Sequence, residues 1–261
     1  MEEIPLSCSP RVPRFRTPME MDAAEWKARY KQVLDDTKVS LDNMLEHIEW
    51  VVVKEYATRR IKVYRGMEGT SCCYKIEGIL GCSAKNVIRV HSDTDFVTRS
   101  KWDMKEITSY NERETYVTHK EGNFKVVDFT FAPDGFIEAM MGKPYYFLGV
   151  HVVREFPQDS ETRSFFCSTA HQHFKCPVGH YRAQAMIGLH VNELLPTDDK
   201  LERCFARLMV KIKLPSKPVW RKHYEKNLFD RLYLYELVVQ ERWDELYGEQ
   251  AQAMREKERR E

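Results

Sequence analysis

The sequence lacks the features that mark membrane-spanning, secreted and nucleic-acid-binding chains. No apolar run in its 261 residues approaches the roughly 18 residues that a membrane-spanning helix needs. The first residues are acidic and then rich in proline and arginine, without the apolar centre of a signal peptide. Because 41 Lys and Arg balance 40 Asp and Glu, the net charge of +1 creates no general attraction to nucleic acid. We therefore expect a cytoplasmic protein without a nucleic-acid partner.

Paired cysteines are also lacking. The chain has seven cysteines, an odd number, and none of them forms a C-x-x-C pair. The hydrophobic fraction of 43% is large enough for a core that needs no disulfide bonds. We therefore interpret the cysteines as reduced thiols, several of which serve as small buried apolar groups.

Motifs for catalysis are scarce. Neither G-x-S-x-G nor H-E-x-x-H occurs, and we predict no catalytic residue, no cofactor and no metal. One pattern, His171-x-His173-x-x-Cys176, has ligand types that suit zinc, and on a strand the two histidines share one face. A hydrolase or thioesterase that uses this His/Cys site or a Ser/His pair is therefore an alternative function. A protein-interaction module, recruited through the last helix or the charged tail, is another.

Composition divides the chain into three parts. Residues 1–20 are proline-rich and lack a periodic apolar pattern, which predicts a flexible leader. Residues 21–248 carry the apolar periodicities of a single domain, and residues 249–261 form a polar, charged tail.

Within the domain the pattern predicts an α+β fold. One kinked helix or two short helices should occupy residues 21–48, and a short helix capped by Ser83 should end at Val90. Glycines and Val/Ile/Tyr-rich runs predict strands, and short connections between most of them favour antiparallel neighbours. The predicted strands span 50–56, 61–65, 72–80, 105–111, 114–119, 124–131, 145–153, 163–171, 180–192 and 202–213.

The end of the domain predicts one long helix. From Trp220 to Leu246 apolar residues recur every three or four positions, which is the pattern of a helix of about 28 residues. Its apolar face is unusually wide, because Phe229 and Leu237 lie outside the main stripe. A helix of this kind is enclosed on more than one side. We therefore expect a curved antiparallel sheet to wrap around it and to leave an internal hydrophobic tunnel.

Several sequence fragments, in this order, carry a resemblance to a known family. The chain resembles the START family of steroidogenic-acute-regulatory-protein-related lipid-transfer domains over about residues 23–247. The fragments that carry the resemblance are Glu49-Trp50, Ile61–Arg65, Tyr74–Leu80 ("YKIEGIL"), Asp93–Phe96, Arg99-Ser100-Lys101-Trp102-Asp103, Cys176-Pro177 and Gly179–Ala183.

The resemblance implies a helix-grip fold whose sheet and last helix enclose one lipid, on which no chemistry is done. A phospholipid is favoured over a sterol or a ceramide, because Arg99 matches the arginine that holds the lipid phosphate in phosphatidylcholine carriers. Asp103 and Tyr145 match residues beside the choline cation. The rest of that aromatic cage departs from the family pattern, since His119 and Met186 stand where it has Trp and Tyr.

Two further residues join the predicted ligand-binding set. Glu106 is a candidate for the buried acid of sterol-type members, and Arg182 for a headgroup contact. Both arginines also have a structural interpretation: Arg99 could pair with an acid such as Asp95 or Glu106, and Arg182 could form a salt bridge in the wall.

A loop between two predicted strands is expected to contact membranes. Residues 132–142 contain Pro and Gly but also four large apolar residues, and in the family a loop at this place helps to gate the tunnel. The four residues are Phe136, Ile137, Met140 and Met141. We expect a monomer that is peripheral to membranes, with plain packing of this loop as the alternative.

Overall fold

The computed structural model describes residues 23–56, 60–99, 103, 107–116, 124–131, 143–156, 160–169, 173–195, 202–213, 224–225 and 228–242. The predicted leader at 1–20, the tail at 249–261 and the four apolar loop residues Phe136, Ile137, Met140 and Met141 therefore lie outside the described residues, as does Glu106.

Four helices and ten strands follow one another along the described chain. The helices are α1 (Ala23–His47), α2 (Ala84–Ser92), α3 (Phe96–Arg99) and α4 (Arg231–Val239). The strands are β1 (Val51–Tyr56), β2 (Ile61–Glu68), β3 (Ser71–Leu80), β4 (Ile107–Tyr116), β5 (Phe124–Phe131), β6 (Tyr145–Phe156), β7 (Glu161–Ser168), β8 (Tyr181–Arg182), β9 (Gln184–Glu193) and β10 (Cys204–Lys213).

All ten strands belong to one sheet, which confirms the predicted α+β fold. The strand order is β1-β2-β3-β10-β9-β7-β6-β5-β4, and every neighbouring pair on this path is antiparallel. The two-residue strand β8 lies beside the path and pairs with β6 in parallel. The sheet is curved, and six of the eight neighbouring pairs join strands that follow one another along the chain.

Helices cover the sheet on both faces, so its strands alternate between two hydrophobic cores. On β6, Tyr145 and Phe147 belong to the core that contains α2 and α4. Tyr146 and Leu148 belong to the second core, which contains α1. Successive side chains of a strand point to opposite faces, so a strand that is buried on both sides is apolar at nearly every position.

Helix α1 is one continuous helix of 25 residues, which resolves the two alternatives that the sequence left open. It packs on β6, β7 and β9. Spacings of three, four and seven residues place its buried side chains on a single face, namely Trp26, Tyr30, Leu34, Leu41 and Met44.

Helix α2 begins where the sequence predicts, but its cap comes from elsewhere in the chain. Ser83 occupies the N-cap position with an extended backbone, and its side chain makes no capping hydrogen bond. Instead the backbone N–H of Ala84 donates to the Glu193 carboxylate over 2.6 Å. A negative charge suits this position, because the first N–H groups of a helix lack partners within the helix. As predicted, Val87, Ile88 and Val90 are buried.

Two predicted strands are one strand. Residues 105–111 and 114–119 were expected to form separate strands, but β4 runs unbroken from Ile107 to Tyr116. The pairing of β4 with β5 shifts register between Ile107 and Ser109 and again between Glu112 and Glu114. These irregularities disturb the apolar alternation, which explains why the sequence pattern suggested a break.

The terminal helix ends earlier than the sequence predicts. Helical backbone is described at 224–225, at 228–229 and in α4, but α4 stops at Val239 rather than at Leu246. Glu241 adopts a left-handed conformation with φ of 55°, and the N–H groups of Glu241 and Arg242 donate to the carbonyls of Val238 and Leu237. This is a Schellman motif, formed here without the usual glycine.

We expect Glu241→Gly to raise the free energy of unfolding by about 0.5–1 kcal/mol, because glycine adopts the left-handed conformation without a Cβ clash. Urea unfolding followed by circular dichroism measures the change. Glu241→Ala is the matched control, since it removes the same side chain but keeps the Cβ atom, and it should leave stability within about 0.5 kcal/mol of the wild type. Equal stabilities of the two variants would contradict a left-handed conformation at residue 241.

Candidate functional site

A cavity lies between the sheet and helices α2, α3 and α4. Its volume is about 100 Å³. That is several times the space that a single buried water needs. The interior is therefore hollow, as predicted. Most of the described lining is apolar: Ile107, Phe129, Phe131, Phe147, Phe166, Ala185, Ile187, Leu208, Val210, Ile212 and Leu228.

The polar part of the lining is concentrated in a few side chains. These are His91, Arg99, Tyr110, His151, Tyr224, Arg231 and Tyr235. They come from α2, α3, β4, β6 and the terminal helical residues, which are distant in the sequence. A largely apolar cavity with a few convergent polar groups is the usual form of a small-molecule site.

Arg99 and Asp103 form a buried ion pair beside the cavity. The Nε and Nη2 groups of Arg99 donate to Oδ2 of Asp103 over 3.0 and 2.7 Å. The Asp103 N–H also donates to the Arg99 carbonyl, four residues earlier in the chain, over 2.7 Å. Burial by itself lowers the pKa of Arg99, but the Asp103 charge together with Tyr110 and Tyr235 outweighs it, and the pKa is raised. The guanidinium is therefore charged at neutral pH.

Arg99 has further partners in the wall. Its Nη1 group donates to the carbonyls of His91 and Asp93 over 3.2 and 2.6 Å. The flat guanidinium lies over the Tyr110 ring, with its central carbon 4.4 Å from the ring centre. This contact combines the ring quadrupole with the positive charge. Arg99 thus ties α3 to the end of α2 and to β4.

Arg231 brings the terminal helix into the same cluster. Its Nη1 group donates to Oδ1 of Asp103, the oxygen that Arg99 leaves unused. The Asp103 side chain is only 1% exposed, and each arginine side chain is 8% exposed. One carboxylate therefore joins two guanidinium groups from separate helices, in an environment where charges are weakly screened.

Two histidines continue the polar part of the lining. Nδ1 of His91 lies 2.7 Å from the Tyr235 hydroxyl oxygen, and the His91 and His151 rings meet edge to face at 6.1 Å. Burial, the neighbouring ring of His151 and the charges of Arg99 and Arg231 hold the pKa of His91 well below its usual value. Burial, followed by the charges of Arg99 and Lys125, lowers the pKa of His151 to about 4. Both imidazoles are therefore neutral at pH 7.

His151 also contacts a serine, but not in a catalytic arrangement. Nε2 of His151 lies 2.7 Å from the Ser164 hydroxyl oxygen. Ser164 has no exposed surface and is not among the described residues that line the cavity. A nucleophile must reach the substrate, and a general base works best with a pKa near the working pH. The pair meets neither requirement.

The structure separates the predicted ligand-binding residues into two groups. Arg99 and Asp103 meet at the polar end of the cavity, as described above. Tyr145 is buried and stacks on Tyr181 with ring centres 5.8 Å apart, whereas Arg182 is exposed and donates to the Thr169 carbonyl. Neither Tyr145 nor Arg182 is among the described lining residues, and their roles as ligand contacts stay predictions.

Arg231, His91 and His151 were not predicted from the sequence as lining residues, although the positions of Arg231 and His151 in the apolar pattern indicate that they point inward. Arg231 stands three residues after Leu228 and four before Tyr235, so it shares the inward stripe of the terminal helix. A charge inside an apolar stripe indicates a buried charge with a partner. His151 lies four residues after Phe147 on β6, so its side chain is on the same inward face of the strand. His91 has no comparable signal.

Polar contacts fasten the terminal helical residues to the sheet at both ends. At one end the Tyr74 hydroxyl donates to Oε1 of Glu225 over 3.0 Å. At the other, the Gly81 N–H donates to Oε1 of Glu236 over 3.1 Å, and Nε2 of Gln240 donates to the Gly81 carbonyl over 2.8 Å. The wall of the cavity formed by α4 is thus held in place by more than apolar contact.

The His171-x-His173-x-x-Cys176 pattern, whose ligand types suit zinc, is only partly described, because His171 lies outside the described residues. Among the residues that the structure does describe, no three His, Cys, Asp or Glu side chains are grouped in a way that could hold a metal. None of the described helices is long and apolar enough to cross a membrane.

The architecture is similar to that of solved lipid-transfer domains. Human StAR-related lipid transfer protein 5 superposes with a TM-score of 0.60 at 14% identity, over 80% of this chain and 96% of that one. Human STARD10 gives 0.58 at 12% identity, over 87% and 84%. A STAR-related lipid transfer protein fragment from Xanthomonas axonopodis gives 0.51 at 14% identity, over 73% and 98%.

The chain has the fold of a START domain. No protein-family model matches the sequence, and no curated protein matches it. The START fold is therefore established here by structure, at identities too low to transfer a ligand. The helix-grip arrangement places the cavity between sheet and terminal helix, where the polar cluster lies.

We expect Asp103→Ala to lower the free energy of unfolding by about 3–5 kcal/mol, because it leaves two guanidinium groups in a buried site without their shared carboxylate. Urea unfolding measures the loss. Asp36→Ala removes an exposed carboxylate that bonds to Gln32, and it should change stability by less than about 0.5 kcal/mol. A small effect at both positions would show that the cluster contributes little.

The lowered pKa of His151 predicts a loss of stability in acid. The unfolded chain binds a proton near pH 6.5 whereas the folded chain does so near pH 4, so stability falls as the pH drops through this window. In His151→Gln this proton binding is absent, so we expect the free energy of unfolding to fall by up to about 3 kcal/mol less over this pH range than in the wild type. Urea unfolding at several pH values measures it. His47→Gln changes an exposed histidine and serves as the control, and equal pH slopes in both variants would refute the prediction.

Proposed function

We propose that this chain binds one lipid in the cavity and carries it between membranes or senses it, without chemistry on the lipid. The observation that carries the proposal is the hollow interior, which is apolar along most of its described lining and polar around Arg99 and Arg231. Such a cavity matches the two parts of a lipid, a hydrocarbon portion and a headgroup.

The energetics of lipid movement explain why such a cavity is useful. A two-chain lipid exposes some 30 methylenes to water, at about 0.8 kcal/mol each, so its transit alone costs about 20–25 kcal/mol. An apolar enclosure removes most of this barrier. The task needs enclosure and a polar contact rather than a nucleophile, which agrees with the inaccessible Ser164 beside His151.

The structural neighbours support the same class of ligand. Two of them are lipid transfer proteins, and they share the START fold with this chain. We extend that role to this chain and favour a phospholipid, because guanidinium groups pair well with phosphate oxygens. Sterol and ceramide are the alternatives within the same fold. We further propose a monomer that works in the cytoplasm and touches membranes through the loop at 132–142.

Lipid analysis of the purified 261-residue chain tests the proposal. We expect protein from a lipid-containing host to yield about one equivalent of lipid by organic extraction and mass spectrometry. Ala185 is a small, buried residue of the lining, so Ala185→Trp should fill the cavity and reduce lipid uptake from vesicles at least tenfold.

The matched control is Ala24→Trp, which adds the same side chain at an exposed position of α1 and should take up lipid normally. Circular dichroism and thermal melting verify that both variants are folded. A wild-type chain that yields no lipid and accepts no phospholipid, sterol or ceramide from vesicles would overturn the proposal. So would a folded Ala185→Trp variant with unchanged uptake.

A further inference from the structure

We propose that the cavity selects lipids whose headgroup carries a net negative charge, and that Arg231 of α4, rather than Arg99, contacts that charge. The inference rests on the proposed lipid-binding function and deepens it. Its chemistry is a carboxylate or phosphate attached to hydrocarbon, whether on a fatty acid or on an anionic phospholipid.

The bonding of Arg99 leaves it little capacity for a ligand. A guanidinium has five N–H groups. Arg99 makes two hydrogen bonds to Asp103 and two more to the backbone carbonyls of His91 and Asp93. Bidentate binding of a phosphate needs two parallel N–H groups on one edge of the guanidinium. Arg99 could provide such an edge only by giving up bonds that hold α3 in place, so its described role is structural.

Asp103 is equally unsuited to a cationic headgroup. Oδ2 accepts two hydrogen bonds from Arg99, and Oδ1 accepts one from Arg231. A choline or ammonium group at this carboxylate would have to displace a guanidinium that is already bound there. Tyr110, the aromatic ring next to the pair, already carries the Arg99 guanidinium at 4.4 Å. A choline cage, which needs open aromatic faces and a carboxylate, is therefore occupied by the protein's own cation.

Arg231 stands where a headgroup can meet it. It lines the cavity together with Leu228 and Tyr235, which flank it on the same face of the terminal helix. His91, neutral at pH 7, and the Tyr235 hydroxyl lie beside it as further hydrogen-bonding groups. The two guanidinium groups of the described lining share the single carboxylate of Asp103, so two positive charges face one negative charge and leave a net +1 at this end. Negative charge is therefore favoured at this end of the cavity, where screening by solvent is weak.

A vesicle competition tests the selectivity directly. The wild-type chain is incubated with vesicles that contain equal amounts of phosphatidylglycerol, phosphatidic acid, oleate, phosphatidylcholine and cholesterol, with oleoyl chains throughout the phospholipids. Re-isolated protein is then extracted, and the captured lipid is quantified by mass spectrometry. We expect anionic lipids to be enriched at least fivefold over phosphatidylcholine and cholesterol. The separate oleate and phosphatidic acid signals distinguish a fatty acid carboxylate from a phospholipid.

Variants test the assignment to Arg231. Arg231→Gln should reduce the anionic preference to less than twofold while phosphatidylcholine uptake persists. Because that change leaves Asp103 with one cation fewer, the double variant Arg231→Gln with Asp103→Asn removes one positive and one negative charge together and should show the same loss. Arg207→Gln, which removes an arginine that pairs with Glu77 outside the lining, is the matched control and should keep the wild-type preference.

The outcomes separate the two proposals. Capture of phosphatidylcholine at least as well as anionic lipid by the wild type would overturn the selectivity while it upheld lipid binding. A fivefold preference that survives in the double variant would overturn the role of Arg231. Capture of no lipid at all would instead refute the proposed function on which this inference depends.

Discussion

One buried carboxylate connects the parts of this molecule that enclose the cavity. Asp103 accepts hydrogen bonds from Arg99, which belongs to α3, and from Arg231, which belongs to α4. Each of these charges would be costly alone in an apolar interior, and together they compensate one another. The cluster therefore needs α3 and α4 in their places, and the position of α4 closes the cavity.

The cavity itself follows from how the sheet is covered. Helix α1 fills one face with a conventional core of Trp26, Tyr30 and Leu34 against β5, β6 and β7 side chains. The other face meets α2 and α4, which contribute His91, Arg231 and Tyr235 to the described lining of the space. A solid core on one side thus supports a hollow one on the other.

The structure resembles START domains without sharing much of their sequence. Identities of 12–14% to the solved neighbours are compatible with the same fold, because a fold depends on the pattern of apolar positions rather than on individual residues. The polar end of a cavity depends on particular side chains. Here Arg99 and Asp103, which the resemblance predicted to lie at a lipid phosphate and beside a choline cation, are bonded to each other and to Arg231.

The amino-acid sequence by itself determined most of the strands, the inward face of α2 and the presence of an apolar terminal helix, because these features depend on local periodicity. It suggested Asp95 or Glu106 as the acid that pairs with Arg99, whereas the structure pairs Arg99 with Asp103. It misjudged the end of the terminal helix. Glu241 adopts there the left-handed conformation that glycine usually adopts, so the sequence lacks the glycine that would indicate a helix end. Only the tertiary structure decided that Arg231 joins Asp103 across 128 positions of sequence, and that the side chains around them leave a space. Such contacts depend on how distant elements pack, and no local pattern records the volume left between them.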